Sequence, residues 1–162
     1  AASDVYKRQA LNGALTIGTL DGANVEIEEE VGSENIFIFG KTVDEIQALE
    51  KSGYQPWEEY NKSKALQRVL DLIDSGFFNP EDPNMFKPVL DNLLRQDPFF
   101  VLADFDAYIK CQEEVEKVYL DSESWTQKAI LNVARMGLFS TDRTISQYNN
   151  DIWNAPTHSI SL

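Results

Sequence analysis

The sequence is poor in the residues from which most compact catalytic and metal sites are built. Its 162 residues include one cysteine, Cys111, and one histidine, His158. A single cysteine excludes a disulfide within the chain and is typical of proteins of a reducing compartment, so we expect a cytoplasmic protein. One thiol and one imidazole cannot form the usual zinc clusters. A Ser-His-Asp triad would need a rigid setting that the polar tail around His158 does not offer.

Basic residues and long apolar runs are also scarce. The chain has 14 basic and 27 acidic residues, a formal net charge of −13. An acidic surface repels phosphate backbones, so we expect no nucleic-acid partner. No apolar run approaches the roughly 18 residues that a membrane-spanning helix needs, so we expect no membrane partner either.

Enough apolar surface is present for a packed core, since 43% of the residues are hydrophobic and 11% aromatic. The first third of the chain alternates between strand-like and helix-like segments. Residues 15–20 and 36–39 are rich in apolar and β-branched side chains and predict buried strands. Residues 23–31 predict a helix, and Thr42 with Glu45 forms a capping box for the next helix. This order of strand, helix, strand and helix predicts an α/β sheet.

The rest of the chain is predicted to be helical. Apolar residues recur at helical spacing in stripes that run from Leu66 to Ile73, Phe86 to Leu94, Phe105 to Tyr119, Trp125 to Met136 and Ile145 to Ile152. Asp82 and Pro83 suit a helix start, but Pro88 interrupts the pattern, so we expect a short first turn and a restart near Phe86. Ser140 is the expected N-cap of the last helix, whose apolar residues are expected to lie inside.

Residue chemistry alone identifies no active site. Gly13, Gly18 and Gly22 match neither the dinucleotide-binding nor the phosphate-loop pattern. Runs of carboxylates such as residues 28–30 are most simply solvated helix faces. Two strands do not make a stable α/β sheet, so the earlier strands of the sheet are expected to lie outside this sequence. Two hypotheses follow: a piece of an enzyme, or a stand-alone acidic helical interaction module.

Several segments resemble one enzyme family. Residues 11–27 (LNGALTIGTLDGANVEI) closely resemble the segment that follows the cofactor lysine in the α-glucan (glycogen or maltodextrin) phosphorylases. The resemblance continues through residues 34–40 (ENIFIFG), 75–78 (SGFF), 103–105 (ADF), 108–113 (YIKCQE) and 139–145 (FSTDRTI). It covers residues 10–153, and it favours the enzyme piece over the interaction module.

The resemblance implies a fold and an activity. Family members have two Rossmann-like domains that face a cleft, the GT-B arrangement. This chain would be part of the C-terminal Rossmann-like domain, followed by a mostly helical region. Members use inorganic phosphate to cut an α-1,4-glucan and release glucose 1-phosphate. Their cofactor, pyridoxal phosphate, is held as a Schiff base on a lysine, and they are usually homodimers.

The resemblance fails at the N-terminus. The cofactor lysine of the family would fall at Arg8, whose guanidinium forms no imine, and Lys7 is one residue away. We therefore expect residues 1–9 to be an unrelated leader, residues 10–153 a partial phosphorylase domain and residues 154–162 a tail. By resemblance, Asn12, Gly13 and Thr16 would lie closest to the cofactor. No catalytic residue of the family falls in this piece, so we expect it to be inactive alone.

Overall fold

The computed structural model describes residues 2–156 and their side chains from Val5 onward; His158 and most of the predicted tail lie outside the described residues. Helices dominate this part of the chain. They are α1 (Ala2–Leu11), α2 (Ala23–Val31), α3 (Val43–Lys51), α4 (Pro56–Lys62), α5 (Lys64–Asp74), α6 (Lys87–Arg95), α7 (Val101–Leu120), α8 (Ser122–Arg135) and α9 (Thr141–Tyr148). Within the described residues, no helix combines the length and apolarity that crossing a bilayer requires.

Two short strands form a parallel pair. Strand β1 (Ile17–Gly18) and strand β2 (Phe37–Ile38) are neighbours, and helix α2 connects them. The backbone N–H of Phe37 donates to Thr16 O at 2.9 Å, and that of Phe39 donates to Gly18 O at 3.0 Å. Both strands lie where the sequence predicts them but are shorter, because a pair without further neighbours keeps few ladder hydrogen bonds. The fold is thus mostly helical with a small two-stranded parallel sheet.

Local sequence signals place the first helices. Helix α2 has the predicted bounds, and Gly32 follows it with φ 88°. The capping box of α3 is complete: Glu45 N donates to Thr42 Oγ1 at 3.3 Å, and Thr42 N donates to Glu45 Oε2 at 2.7 Å. These groups satisfy backbone donors that the first turn leaves without intrahelical partners.

The chain forms two compact units. The first comprises the described residues within 1–17, 22–37 and 118–162, and the second comprises residues 18–21 and 38–117. The first unit is centred on buried apolar residues, namely Ala10, Ile27, Val31, Ile36, Phe37 and Met136. In the second unit, Leu66, Leu70, Leu90 and Leu102 form one cluster, against which half-buried side chains such as Tyr60 and Phe105 pack.

Later elements follow the predictions with one correction. Residues around Asp82 form turns, and α6 starts after Phe86 with Pro88 in its first turn, as expected. The predicted burial of the last stripe is wrong. Ile145 is 49% exposed and Ile152 69% exposed, because no second surface within the described residues covers this face. Helix α9 ends at Tyr148, and Ile152 lies in the single π turn that follows, Asn149–Trp153.

Candidate functional site

Lys7 is held by two partners within the first unit. Its Nζ donates to Glu26 Oε2 on α2 at 2.8 Å and lies 4.4 Å from the centroid of the Phe139 ring. A carboxylate and an aromatic face both attract an ammonium group and so hold the Lys7 side chain in place. Arg8 follows in the last turn of α1. The position at which the resemblance expects an imine-forming lysine therefore carries a guanidinium, beside a lysine that is already ion-paired.

Asn12, Gly13 and Thr16 lie together in the loop between α1 and β1. The exposed Asn12 side chain donates from Nδ2 to Arg8 O at 2.7 Å. Gly13 has φ 85°, and a Cβ there would lie 3.6 Å from Val133 Cγ2 on α8. Thr16 accepts the N–H of Phe37 through its carbonyl oxygen. All three have backbone or packing roles in this loop, and their proximity to a cofactor stays a prediction.

One face of α8 holds the connection between α2 and β2. Asn132 Nδ2 donates to Asn35 O at 2.9 Å, and Arg135 donates through one guanidinium nitrogen to Val31 O at 2.5 Å. Lys128 Nζ donates to Glu34 O. The three α8 residues are spaced i, i+4, i+7, which places them on one face of the helix. This face therefore satisfies three backbone carbonyls that the end of α2 and the following turn leave free.

The side chains of Asn132 and Glu34, which lie at this contact, differ in burial and in partners. Asn132 is fully buried, and among the described atoms its Oδ1 has no hydrogen-bond partner. The pKa of the Glu34 carboxyl is lowered, first by a hydrogen bond to its own backbone N–H and then by Arg135 and Lys128. The lowered pKa keeps this exposed carboxyl charged, and its role is structural: Glu34 Oε1 lies 3.4 Å from the Arg135 guanidinium.

Asp97 organises the start of α7 in the second unit. This residue is 1% exposed and has φ 38°. Its carboxylate accepts the N–H groups of Val101 and Leu102, each at 2.9 Å, and the Tyr54 hydroxyl at 2.7 Å. Burial, and then this hydrogen bond, raise the pKa of Tyr54 above its ordinary value. The carboxylate is thus fully used as a helix cap and tyrosine acceptor.

Asp104 forms a second buried carboxylate site on α7. It accepts the backbone N–H of Lys41 at 3.0 Å, and the Lys41 ammonium lies 3.5 Å from the same oxygen. Gly40 passes so close that a Cβ there would lie 2.6 Å from Asp104 Oδ2. The pair fixes the backbone after β2 to α7.

Cys111 is a poor nucleophile in this structure. It is half-buried on α7, and burial, followed by the nearby Glu114 charge, raises the pKa of its thiol. A raised pKa keeps the less reactive thiol form at neutral pH. No group of three or more metal-ligating side chains occurs among the described residues.

The polar side chains that the structure brings together therefore position backbone rather than react. Sequence reasoning did not single out Asn132, Asp97 or Asp104. A signal existed for Asn132, because it lies seven residues after Trp125 and four before the buried Met136, within one apolar stripe. No comparable pattern marks Asp97, whose partners are backbone groups and a tyrosine 43 residues away.

Comparison with known proteins gives a consistent family. The sequence model described as carbohydrate phosphorylase matches residues 5–155. The glycogen phosphorylase of Synechocystis sp. is 58% identical over 144 residues, which are 89% of this chain and 17% of the relative. The brain form of Ovis aries is 52% identical over 145 residues, 90% of this chain and 17% of the relative. The liver form of Homo sapiens is 47% identical over 152 residues, 94% of this chain and 18% of the relative. The chain thus spans about a sixth of the length of these curated relatives.

Proposed function

Because the chain belongs to the carbohydrate phosphorylase family, we propose that it is the C-terminal piece of an α-glucan phosphorylase. The whole enzyme would transfer a glucosyl unit from an α-1,4-glucan to inorganic phosphate and release glucose 1-phosphate. The observation that carries this proposal is 47–58% identity to glycogen phosphorylases over about nine-tenths of the chain. We further propose that the whole enzyme is a cytoplasmic homodimer.

We assign the chain to the C-terminal Rossmann-like half of a GT-B fold. The β1–α2–β2 connection supports this, since a helix joining two parallel strands is the repeating unit of such sheets. Two strands are too few for a stable sheet of this kind. Residues 10–153 would then complete a sheet whose other strands belong to the rest of the enzyme, with residues 1–9 outside it.

Pyridoxal phosphate is the cofactor that we propose for the whole enzyme. Its aldehyde, when bound, condenses with a lysine amine. The residues of this chain do not fit that attachment: Arg8 has no such amine, and Lys7 Nζ is bonded to Glu26. The chain by itself is therefore proposed to be inactive.

A chimera tests the function. Residues 10–162 would replace the matching segment of the Synechocystis enzyme, whose own preceding sequence, including its cofactor lysine, is kept. We expect the chimera to release glucose 1-phosphate from glycogen and phosphate, and the 162-residue chain to release none. The control is the unaltered Synechocystis enzyme, assayed in parallel.

Two results would contradict the proposal. One is a chimera that is folded and binds cofactor but yields no glucose 1-phosphate. The other is phosphorolysis by the isolated chain, which would require a catalytic site within it. A chain that stays monomeric throughout its melt, without self-association, would instead favour the interaction module.

A further inference from the structure

We propose that a cavity between α4, α5 and α6 binds one neutral sugar unit of an oligosaccharide. The cavity lies within the second unit and has a volume of about 290 Å³. Small-molecule pockets start at about 300 Å³, so this cavity suits one monosaccharide ring rather than a large ligand. The choice of an α-1,4-glucan as the sugar rests on the proposed function. The argument for a sugar site rests only on the size and the lining residues of the cavity.

An aromatic pair forms one wall of the cavity. Trp57 is 51% exposed although it is a large apolar side chain. Its ring meets that of Tyr60 edge to face, with centroids 5.1 Å apart and an angle of 76° between the planes. The Tyr60 hydroxyl donates to Asp71 Oδ1 at 2.7 Å, which fixes the ring. The indole, which packs against the fixed Tyr60 ring, is thus an open apolar surface of the kind on which the C–H face of a pyranose ring can pack.

Charged groups of both signs form the rest of the wall. The carboxylates of Asp71, Asp74 and Asp91 line the cavity together with Lys87 and Arg95. Asp91 lies 3.9 Å from Lys87 Nζ and 3.6 Å from an Arg95 nitrogen, so these ion pairs are long and exposed. Exposed pairs of this kind contribute little to stability, and their hydrogen-bonding capacity remains available to a ligand.

The mixture of charges selects the chemical class of the ligand. Carboxylates only accept hydrogen bonds, whereas ammonium and guanidinium groups only donate them. The three carboxylates and two cationic groups nearly cancel, so the cavity offers little net attraction to an ion of either sign. Sugar hydroxyls both donate and accept, so a neutral polyhydroxyl ring uses both kinds of group at no electrostatic cost. Another cavity is lined mainly by Phe39, Phe99, Phe105 and Tyr108; Asp104 and Thr19 are polar lining residues there, but no cationic group lines it.

Electrophoresis in native gels with and without glycogen tests the site on the 162-residue chain. We expect glycogen to retard the chain, and Trp57→Ala to raise the apparent Kd at least about tenfold, because an aromatic side chain that the ligand covers typically carries much of the binding energy. Asp74→Asn is expected to weaken retardation to a smaller degree. Far-UV circular dichroism of each variant establishes that the fold is kept.

Trp153→Ala is the matched control. Trp153 is 55% exposed and meets Tyr148 edge to face at 5.7 Å, yet it lies outside the cavity. We expect this variant to be retarded like the unaltered chain. The absence of glycogen-dependent retardation, or equal losses in the two tryptophan variants, would overturn the proposal.

The result of the gel experiment can be distinguished from the result of the chimera experiment. An active chimera with no retardation overturns the sugar site alone. Retardation that depends on Trp57, together with an inactive chimera, supports the site and contradicts the proposed function.

Discussion

Buried carboxylates and positive-φ glycines account for much of the residue-scale specificity of the second unit. Asp104 is 7% exposed and holds Lys41 through both its backbone and its ammonium. Gly40, the residue before Lys41, has φ 81°, a conformation that costs a residue with a Cβ about 1–2 kcal/mol. At Gly40, a backbone conformation that strains other residues thus coincides with the close approach of the Asp104 carboxylate.

Gly40→Ala is expected to lower the free energy of unfolding by about 3 kcal/mol. The strain adds to a clash with a carboxylate that cannot turn away without losing its buried partners. Gly53→Ala is the control, since Gly53 has φ 83° but no atom within 4 Å of the added Cβ, and only about 1–2 kcal/mol is expected. Urea unfolding of both variants gives the difference, and equal losses would contradict the clash.

Tyr54 gives stability a dependence on alkaline pH. Burial and the hydrogen bond to Asp97 raise its pKa above the ordinary value of 10.0. The folded state therefore keeps a proton that the unfolded state releases above about pH 10. The stability that the raised pKa of Tyr54 contributes is fully present below about pH 10 and is lost as the pH rises further.

The measurement is the urea midpoint at pH 8 and pH 11. We expect the midpoint to fall less with pH in Tyr54→Phe than in the unaltered chain, because the other tyrosines are common to both. An identical fall in the two proteins would show that Tyr54 titrates normally.

At the scale of the element, α8 acts as a fixed support for the chain before β2. Asn132, Lys128 and Arg135 bond to three carbonyls from Val31 to Asn35. Backbone groups at the end of a helix need such partners when they are buried. The same helix packs against Gly13, so it contacts the loop between α1 and β1 as well.

Asn132→Ala is expected to reduce the free energy of unfolding by about 1–3 kcal/mol, because Asn35 O would remain buried without its donor. Amide hydrogen exchange should accelerate for residues 35–37 more than for α5. Gln127→Ala, on the exposed face of α8, is the control and is expected to change stability by less than about 0.5 kcal/mol. Unchanged exchange at residues 35–37 would show that the amide does not hold this connection.

At the scale of the whole molecule, large apolar side chains remain exposed in both units. Phe99 is 84% exposed, Leu120 79% and Ile152 69%. Phe99 lies beside Phe39, Phe105 and Tyr108 in an open apolar patch, and such contiguous patches are typical of surfaces that other protein segments cover. It agrees with a chain that spans about a sixth of its relatives.

We expect the isolated chain to self-associate through the apolar patch around Phe99, and Phe99→Ser to reduce this association, measured by sedimentation velocity. Its free energy of unfolding should change by less than about 0.5 kcal/mol, because the side chain loses little burial. Lys110→Ser, an exposed polar change on α7, is the control and should leave association unaltered. Undiminished association of Phe99→Ser would place the contact elsewhere.

Local patterns predicted the elements that depend on local chemistry. The bounds of α2, the Thr42–Glu45 capping box, the restart of α6 at Phe86 and the Ser140 cap all follow from residues within one or two turns. The apolar run at residues 36–39 also predicted a strand, but its length depends on neighbouring strands, and the ladder covers only Phe37–Ile38.

The sequence by itself determined the helical character of the chain, its helix caps and, through long matching segments, its family. Tertiary structure alone decided which polar residues are buried and with what partners. Asp97 meets Tyr54 across 43 positions, and Asn132 meets Asn35 across 97. It also left Ile145 and Ile152 exposed, although their spacing predicts burial. The physical reason is that periodicity defines the apolar face of a helix, whereas burial requires a second surface to pack against it.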